Sequence, residues 1–202
     1  MSHTAGVPFI DAEQYVGAPY DWESMVEACA AQKPEWEPGS TVAYHVVSFG
    51  WIVGEVIRRV SGQMPGKFIA SEIAEPLGAE FFLGLPESQD PKVADWIWAA
   101  GAPSTELESD PPSYADRGFA MFWAKLGTDW VNARDWRAAE IPAGNGYSNA
   151  RGLAAIHRPL ALGGEHLGVR IMDDSTIETS IVQQATGYDP VLDIDNARRA
   201  IG

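Results

Sequence analysis

Tyr44, followed at once by His45, and the stretch Gly144-Asn145-Gly146-Tyr147-Ser148-Asn149 are where this sequence could do chemistry. A phenol ionises near pH ~10, and it becomes a base at neutral pH only where nearby cations hold the phenolate. Glycines let a backbone come close to a ligand. The stretch has a superficial likeness to a dinucleotide fingerprint, but Asn149 stands where the third glycine would be and no strand is expected before it. Ser148 or Asn149 is instead expected to cap a helix. The histidines fall at 3, 45, 157 and 166. That spacing gives neither His-x-x-x-His nor a Cys/His cluster, so no metal site is expected. His45 is expected to sit exposed at a helix start, within reach of tuning Tyr44. The one cysteine, Cys29, lies in Val26-Glu27-Ala28-Cys29-Ala30-Ala31 and reads as a packed thiol. Neighbouring Glu27 disfavours the thiolate, and a single cysteine forms no intrachain disulfide.

Charge narrows the partners. The 28 acidic against 14 basic residues give a formal net charge of −14, which disfavours nucleic acid and anionic membrane surfaces. With 46% hydrophobic and 21% charged residues over 202 positions, the composition is that of a globular chain able to bury a core. No run of 18 apolar residues and no charged-then-apolar leader is visible, so the sequence as written reads as cytoplasmic.

Four pieces occur in a telling order: Ser2-His3-Thr4-Ala5-Gly6, Trp36-Glu37-Pro38-Gly39, Tyr44, and Gly54-Glu55-Val56-Ile57-Arg58-Arg59-Val60-Ser61-Gly62. In this order they resemble the serine β-lactamase, penicillin-binding protein and carboxylesterase superfamily. The likeness is good over residues 1–85 and looser over 142–163. It implies acyl transfer through a serine and a lysine in Ser-x-x-Lys, a tyrosine, and a late Lys-Thr-Gly or His-x-Gly strand edge. Tyr44 falls at the catalytic tyrosine. Val46 replaces the asparagine of Tyr-x-Asn, which points to the esterase-like branch. Gly144, Asn145 and Gly146 correspond to a loop beside the substrate cleft.

No serine is followed three residues later by lysine. Ser148-Asn149-Ala150-Arg151 is an imitation, because arginine stays protonated and cannot act as a base. The late strand motifs are expected to be missing as well. The resemblance therefore implies a piece of an ester hydrolase, truncated at both ends and inactive alone. It implies no cofactor and, in the intact relative, a small ester or, less readily, a β-lactam substrate. The alternative is a non-catalytic interaction or dimerisation module, with a second copy or a complementary chain covering the face a sheet would otherwise occupy.

The elements that must position these residues are mostly helices. Asp21 is expected to cap a helix carrying Met25, Val26, Cys29 and Ala30, which Lys33-Pro34 ends. Glu37-Pro38-Gly39-Ser40 reads as a turn. Phe49, Ile52, Val53, Val56, Ile57 and Val60 recur at helical spacing and predict a helix over 46–60 with that stripe as its apolar face. Further helices are expected over 66–74, 114–126, 149–162 and 174–184, with a strand over 81–86. The tract 86–112 reads as irregular except for 93–100. The eight tryptophans read as packing, with some able to line an acyl pocket. The fold class is thus mainly α with a few short strands, a single or partial domain over 1–202. It resembles the helical lobe of the α/β serine β-lactamase-like fold without most of its central antiparallel sheet.

Overall fold

Asp21 does start the first helix: its Oδ1 accepts the Ser24 N–H at 2.8 Å, and α1 runs Trp22–Ala31 with Met25 and Ala28 buried. The computed structural model describes residues 1–11, 19–97, 112–118 and 130–201. Helix α2 spans Ser48–Ser61 and stops at Gly62, which takes φ +72° and returns its N–H to Arg58 O. That left-handed stop favours glycine because it has no Cβ.

The buried face of α2 is not the expected stripe. Val56 and Val60 are 57% and 83% exposed, while Ser48, Gly50, Trp51, Gly54 and Glu55 are buried. A Cβ at Gly50 would lie 2.5 Å from the Ala143 backbone nitrogen, and one at Gly54 would lie 2.6 Å from the Trp22 ring. Two absent side chains let this face approach its neighbours, and backbone proximity outweighs hydrophobic periodicity. Glu55 is then held between helices. It accepts from Trp22 Nε1 at 3.1 Å, Arg58 Nε at 2.6 Å and Arg59 Nε at 2.7 Å. The Arg58 hydrogen bond above all pulls its pKa down to about 2. Cys29 packs against the core, and burial pushes its thiol up to about 12.

Helix α3, Pro65–Ile69, runs on into a π turn over Ala70–Ala74, so the expected single helix has two geometries. Strand β1, Phe81–Leu83, is shorter than read and pairs antiparallel with β2, Gly146–Ser148. A 3-10 helix covers Glu87–Lys92, and residues 93–97 carry no regular element, contrary to expectation; 98–100 lie outside the described residues. Helix α4 covers 114–118, and the remainder of the helix expected over 114–126 lies outside the described residues. A 3-10 turn at Trp130–Asn132 leads into α5, Arg134–Ala138, neither anticipated.

Helix α6, Ala150–Ala161, begins where expected. Asn149 Oδ1 accepts the Arg151 and Gly152 N–H groups at 3.0 and 2.9 Å. Strands β3, Glu165–His166, and β4, Val169–Arg170, form a small hairpin. Helix α7 covers Asp174–Ser180 and stops short of the expected 184. It gives way to a hairpin that the sequence reading missed, β5 at Ala185–Asp189 and β6 at Ile194–Arg199.

The described residues thus form a mainly helical body with three two-stranded antiparallel ladders. Its core gathers Ile10, Met25, Val46, Trp51, Trp136 and Ile141. Among the described residues no helix is long and apolar enough to cross a membrane.

Candidate active site

Tyr44 lies on an extended segment between the turn at 37–40 and α2, and that segment is pinned one residue at a time. Ala43 donates its N–H to His3 O at 3.0 Å, Tyr44 to Asp189 Oδ2 at 3.0 Å, and His45 to His3 Nδ1 at 3.1 Å. The N-terminal motif is itself stitched in place, because Gly39 N–H reaches Thr4 O and Glu35 N–H reaches Gly6 O, both at 2.8 Å. Gly6 sits at φ +79°, and a Cβ there would meet Trp36 O at 2.7 Å. Only glycine meets both conditions without rearrangement.

Two neutral imidazoles complete the support. His3 stacks on Phe49 with centroids 4.5 Å apart and lies 5.3 Å from the Tyr44 ring. Since its Nδ1 accepts from His45, the neutral ring carries its proton on Nε2. Burial, then the neighbouring His45 and Arg199, lower its pKa to about 4. His45 is not the exposed residue expected. It is 2% exposed, accepts Val7 N–H on Nε2 at 3.3 Å, and donates from Nδ1 to Ala43 O at 2.7 Å. Burial lowers its pKa as well. A ring with both nitrogens spent on backbone groups is a brace for the segment around Tyr44.

Tyr44, Gly144, Asn145 and Gly146 line one cavity of about 530 Å³. Trp96, Trp130, Trp136 and Tyr147 make much of the remaining wall, so several of the tryptophans read as packing also face this space. Arg137 is on the wall as well, paired through NH2 to Asp95 Oδ1 at 2.6 Å.

Asn145 contributes in a way the sequence did not suggest. It is 4% exposed, its Oδ1 accepts the Ile141 N–H at 2.9 Å, and its Nδ2 donates to Trp136 O and Ala139 O at 2.6 and 2.8 Å. Its amide therefore ties the loop to itself. Ser148 Oγ, the serine of the imitation motif, donates to Glu80 O at 2.6 Å. One tripeptide of His-x-Gly form does occur, His166-Leu167-Gly168, which corrects the expected absence of that pattern. Leu167 and Gly168, at φ +51° and +77°, are the two-residue loop between β3 and β4. His166 Nε2 meets Arg158 NH1 at 3.1 Å, and the tripeptide does not line the cavity. It matches the motif in letters and not in place.

The carboxylate that holds Tyr44, Asp189, was missed by sequence reasoning. An aspartate before Pro190 at the end of a polar tract carries only a turn signal.

The Beta-lactamase family model matches residues 1–199, and the chain belongs to that family. It is 33% identical over 155 residues to the esterase/beta-lactamase LipL of Mycobacterium tuberculosis (strain ATCC 25618 / H37Rv), covering 73% of this chain and 36% of that protein. Among solved structures it is similar to a family VIII carboxylesterase, with TM-score 0.79 and 33% identity over 100% of this chain and 52% of that one. A penicillin-binding protein homologue from Caulobacter crescentus gives TM-score 0.78 and 29% identity, covering 96% of this chain and 50% of that one. EstA from Arthrobacter nitroguajacolicus Rue61a gives 0.79 and 27%, covering 99% and 53%. The chain spans about half the length of these solved relatives and 36% of LipL.

Proposed function

We propose that this chain forms the tyrosine side of an esterase-like acyl-transfer site. Tyr44 is its acid/base group and the Gly144–Gly146 loop a wall of the substrate cleft. The observation that carries this reading is the convergence of Tyr44 and that loop on one cavity although a hundred residues separate them in sequence. A serine hydroxyl attacks an ester only when a base takes its proton and donors meet the developing oxyanion. No serine of the 202 residues has a lysine three positions on, so the nucleophile and its lysine are assigned to polypeptide outside this sequence. In that assembly Tyr44 relays the proton between the serine hydroxyl and the departing alcohol, while the tryptophans of the cavity surround the apolar part of a small ester.

Two experiments test this. The chain alone, incubated with a fluorescent phosphonate and a fluorescent penicillin and run on a denaturing gel, is expected to stay unlabelled. A labelled band would reveal a competent serine within it and overturn the division of roles. Residues 1–199 grafted in place of the matching half of the family VIII carboxylesterase are expected to restore hydrolysis of a p-nitrophenyl ester, and Tyr44→Phe to abolish most of it.

A second reading rests on exposed apolar side chains. Val60, Leu167 and Ile181 are 83%, 82% and 71% exposed, which suits an interaction or dimerisation module. Sedimentation of the chain distinguishes them: a stable dimer favours the module, a monomer the acyl-transfer part.

A further inference from the structure

We infer that Asp189 is a positioning residue for Tyr44: a buried carboxylate on the C-terminal hairpin that fixes the tyrosine's backbone and so its aim into the cavity. This rests on Tyr44 being the acid/base group proposed above. Asp189 is wholly buried, and all four of its partners are donors. Oδ1 accepts the Val191 and Leu192 N–H groups at 3.0 and 3.2 Å. Oδ2 accepts the Tyr44 N–H at 3.0 Å and the Arg199 guanidinium at 2.8 Å. A charge taken fully out of water is tolerated only when its lone pairs are met in this way.

The hairpin is shaped to deliver it. The β5–β6 register runs Gly187↔Ala197 and then Asp189↔Ile194, so β6 carries one extra residue. Asn196 lies within that step at φ +54°, a conformation asparagine accepts more readily than most residues. Tyr188 beside it is 52% exposed while Asp189 is buried. The bulge thus falls at the residue whose carboxylate crosses to a segment 145 positions earlier.

The division of labour around Tyr44 makes the role specific. His3 binds the N–H groups on either side, at Ala43 and His45, and Asp189 binds the one between. Losing Asp189 frees the central residue of a segment whose flanks stay held. A residue that merely stabilised the fold would loosen all three together.

Asp189→Asn is the informative change. Asn keeps an oxygen for Val191 and Leu192 but sets an amide donor against the Tyr44 N–H and Arg199. Amide hydrogen exchange on the chain, read residue by residue by NMR, tests it directly. The Tyr44 amide is expected to exchange at least ~10-fold faster in Asp189→Asn while Ala43 and His45 keep their protection. Equal acceleration of all three, or none at Tyr44, overturns the inference. Should Asp189→Asn fail to fold, Arg199→Lys loosens the same carboxylate from its other side and is expected to give the same selective pattern; its absence counts equally against the inference.

In the carboxylesterase graft, Asp189→Asn is expected to lower kcat with KM unchanged, and to add nothing once Tyr44 is phenylalanine. An additive loss there overturns positioning through Tyr44. If Tyr44→Phe itself leaves hydrolysis intact, the acid/base reading fails, while the exchange pattern still decides whether the clamp exists.

Discussion

Residues 42–48 bury Val42, Ala43, His45, Val46, Val47 and Ser48, whereas residues 181–194 leave Ile181, Val182, Tyr188, Leu192 and Ile194 between 39% and 71% exposed. The first stretch gains its order from polar groups: His3, His45, Ser48 and Asp189 each bind a backbone group far away in sequence. The second is the turn that follows α7 and the first arm and loop of the β5–β6 hairpin, and its buried residues are Asp189 and Val191. The proposed acid/base role would need the phenol held to a fraction of an ångström, which buried hydrogen bonds achieve by direction and hydrophobic contact alone does not. The contrast places precision at Tyr44 and tolerance in the C-terminal stretch, with Asp189 as a bridge between them.

The largest effect should come from removing the phenol. Tyr44→Phe in the carboxylesterase graft is expected to cut kcat by ~10²–10⁴, the usual worth of a general acid/base group, with no loss of melting temperature. A small kinetic effect would erase the functional half of the contrast. Next is the brace of the glycine loop. Asn145→Ala strands the buried Ile141 N–H and two carbonyls, and should cost about 3 kcal/mol in urea unfolding. Gly50→Ala drives a methyl to within 2.5 Å of the Ala143 backbone and should cost about 2 kcal/mol. Because Ala143 adjoins the loop, the same variant should also perturb the Gly144 and Gly146 amides in an NMR spectrum.

Acid sharpens the comparison further. Burial holds both His3 and His45 below the ordinary imidazole value of 6.5, with His3 at about 4. Between those values the unfolded chain binds more protons than the folded one, so their contribution is complete above about pH 6.5 and is lost as pH falls toward 4. Urea midpoints measured across that range should drop, and more steeply for the native chain than for His3→Gln. The smallest effect belongs outside both regions, in the β3–β4 turn. Leu167 is 82% exposed and held at φ +51° in the β3–β4 turn, where an Asn-Gly pair is favoured. Leu167→Asn should therefore stabilise by up to about 1 kcal/mol and leave the Tyr44 amide's exchange unchanged. A shift at Tyr44 would show that this turn is coupled to the tyrosine by a route that does not run through Asp189.

The local signals were legible where one residue type settles one geometry. Asp21 and Asn149 cap helices because a short side-chain oxygen reaches free N–H groups two or three residues on. Gly62 ends α2 because it alone accepts the left-handed stop without cost. The family resemblance singled out Tyr44 and the Gly144–Gly146 loop as candidates, and both line one cavity. The buried face of α2 was misread, because periodicity records which side chains are apolar and not which missing Cβ atoms allow contact. The β5–β6 hairpin escaped because Ala185–Asp189 and Ile194–Arg199 lack the alternation that marks a half-buried strand.

By itself, then, the sequence determined the caps at Asp21, Asn149 and Gly62, since each depends on residues near one another in the chain, and its motif order carried the family and marked Tyr44 as a candidate. The tertiary structure alone decided that His3 and Asp189 hold that tyrosine, that Asn145 spends its amide inside its own loop, and that His45 is buried. Those roles are contacts across 42 and 145 positions of chain or the burial that follows from them, and they exist only once packing brings the partners within hydrogen-bond reach.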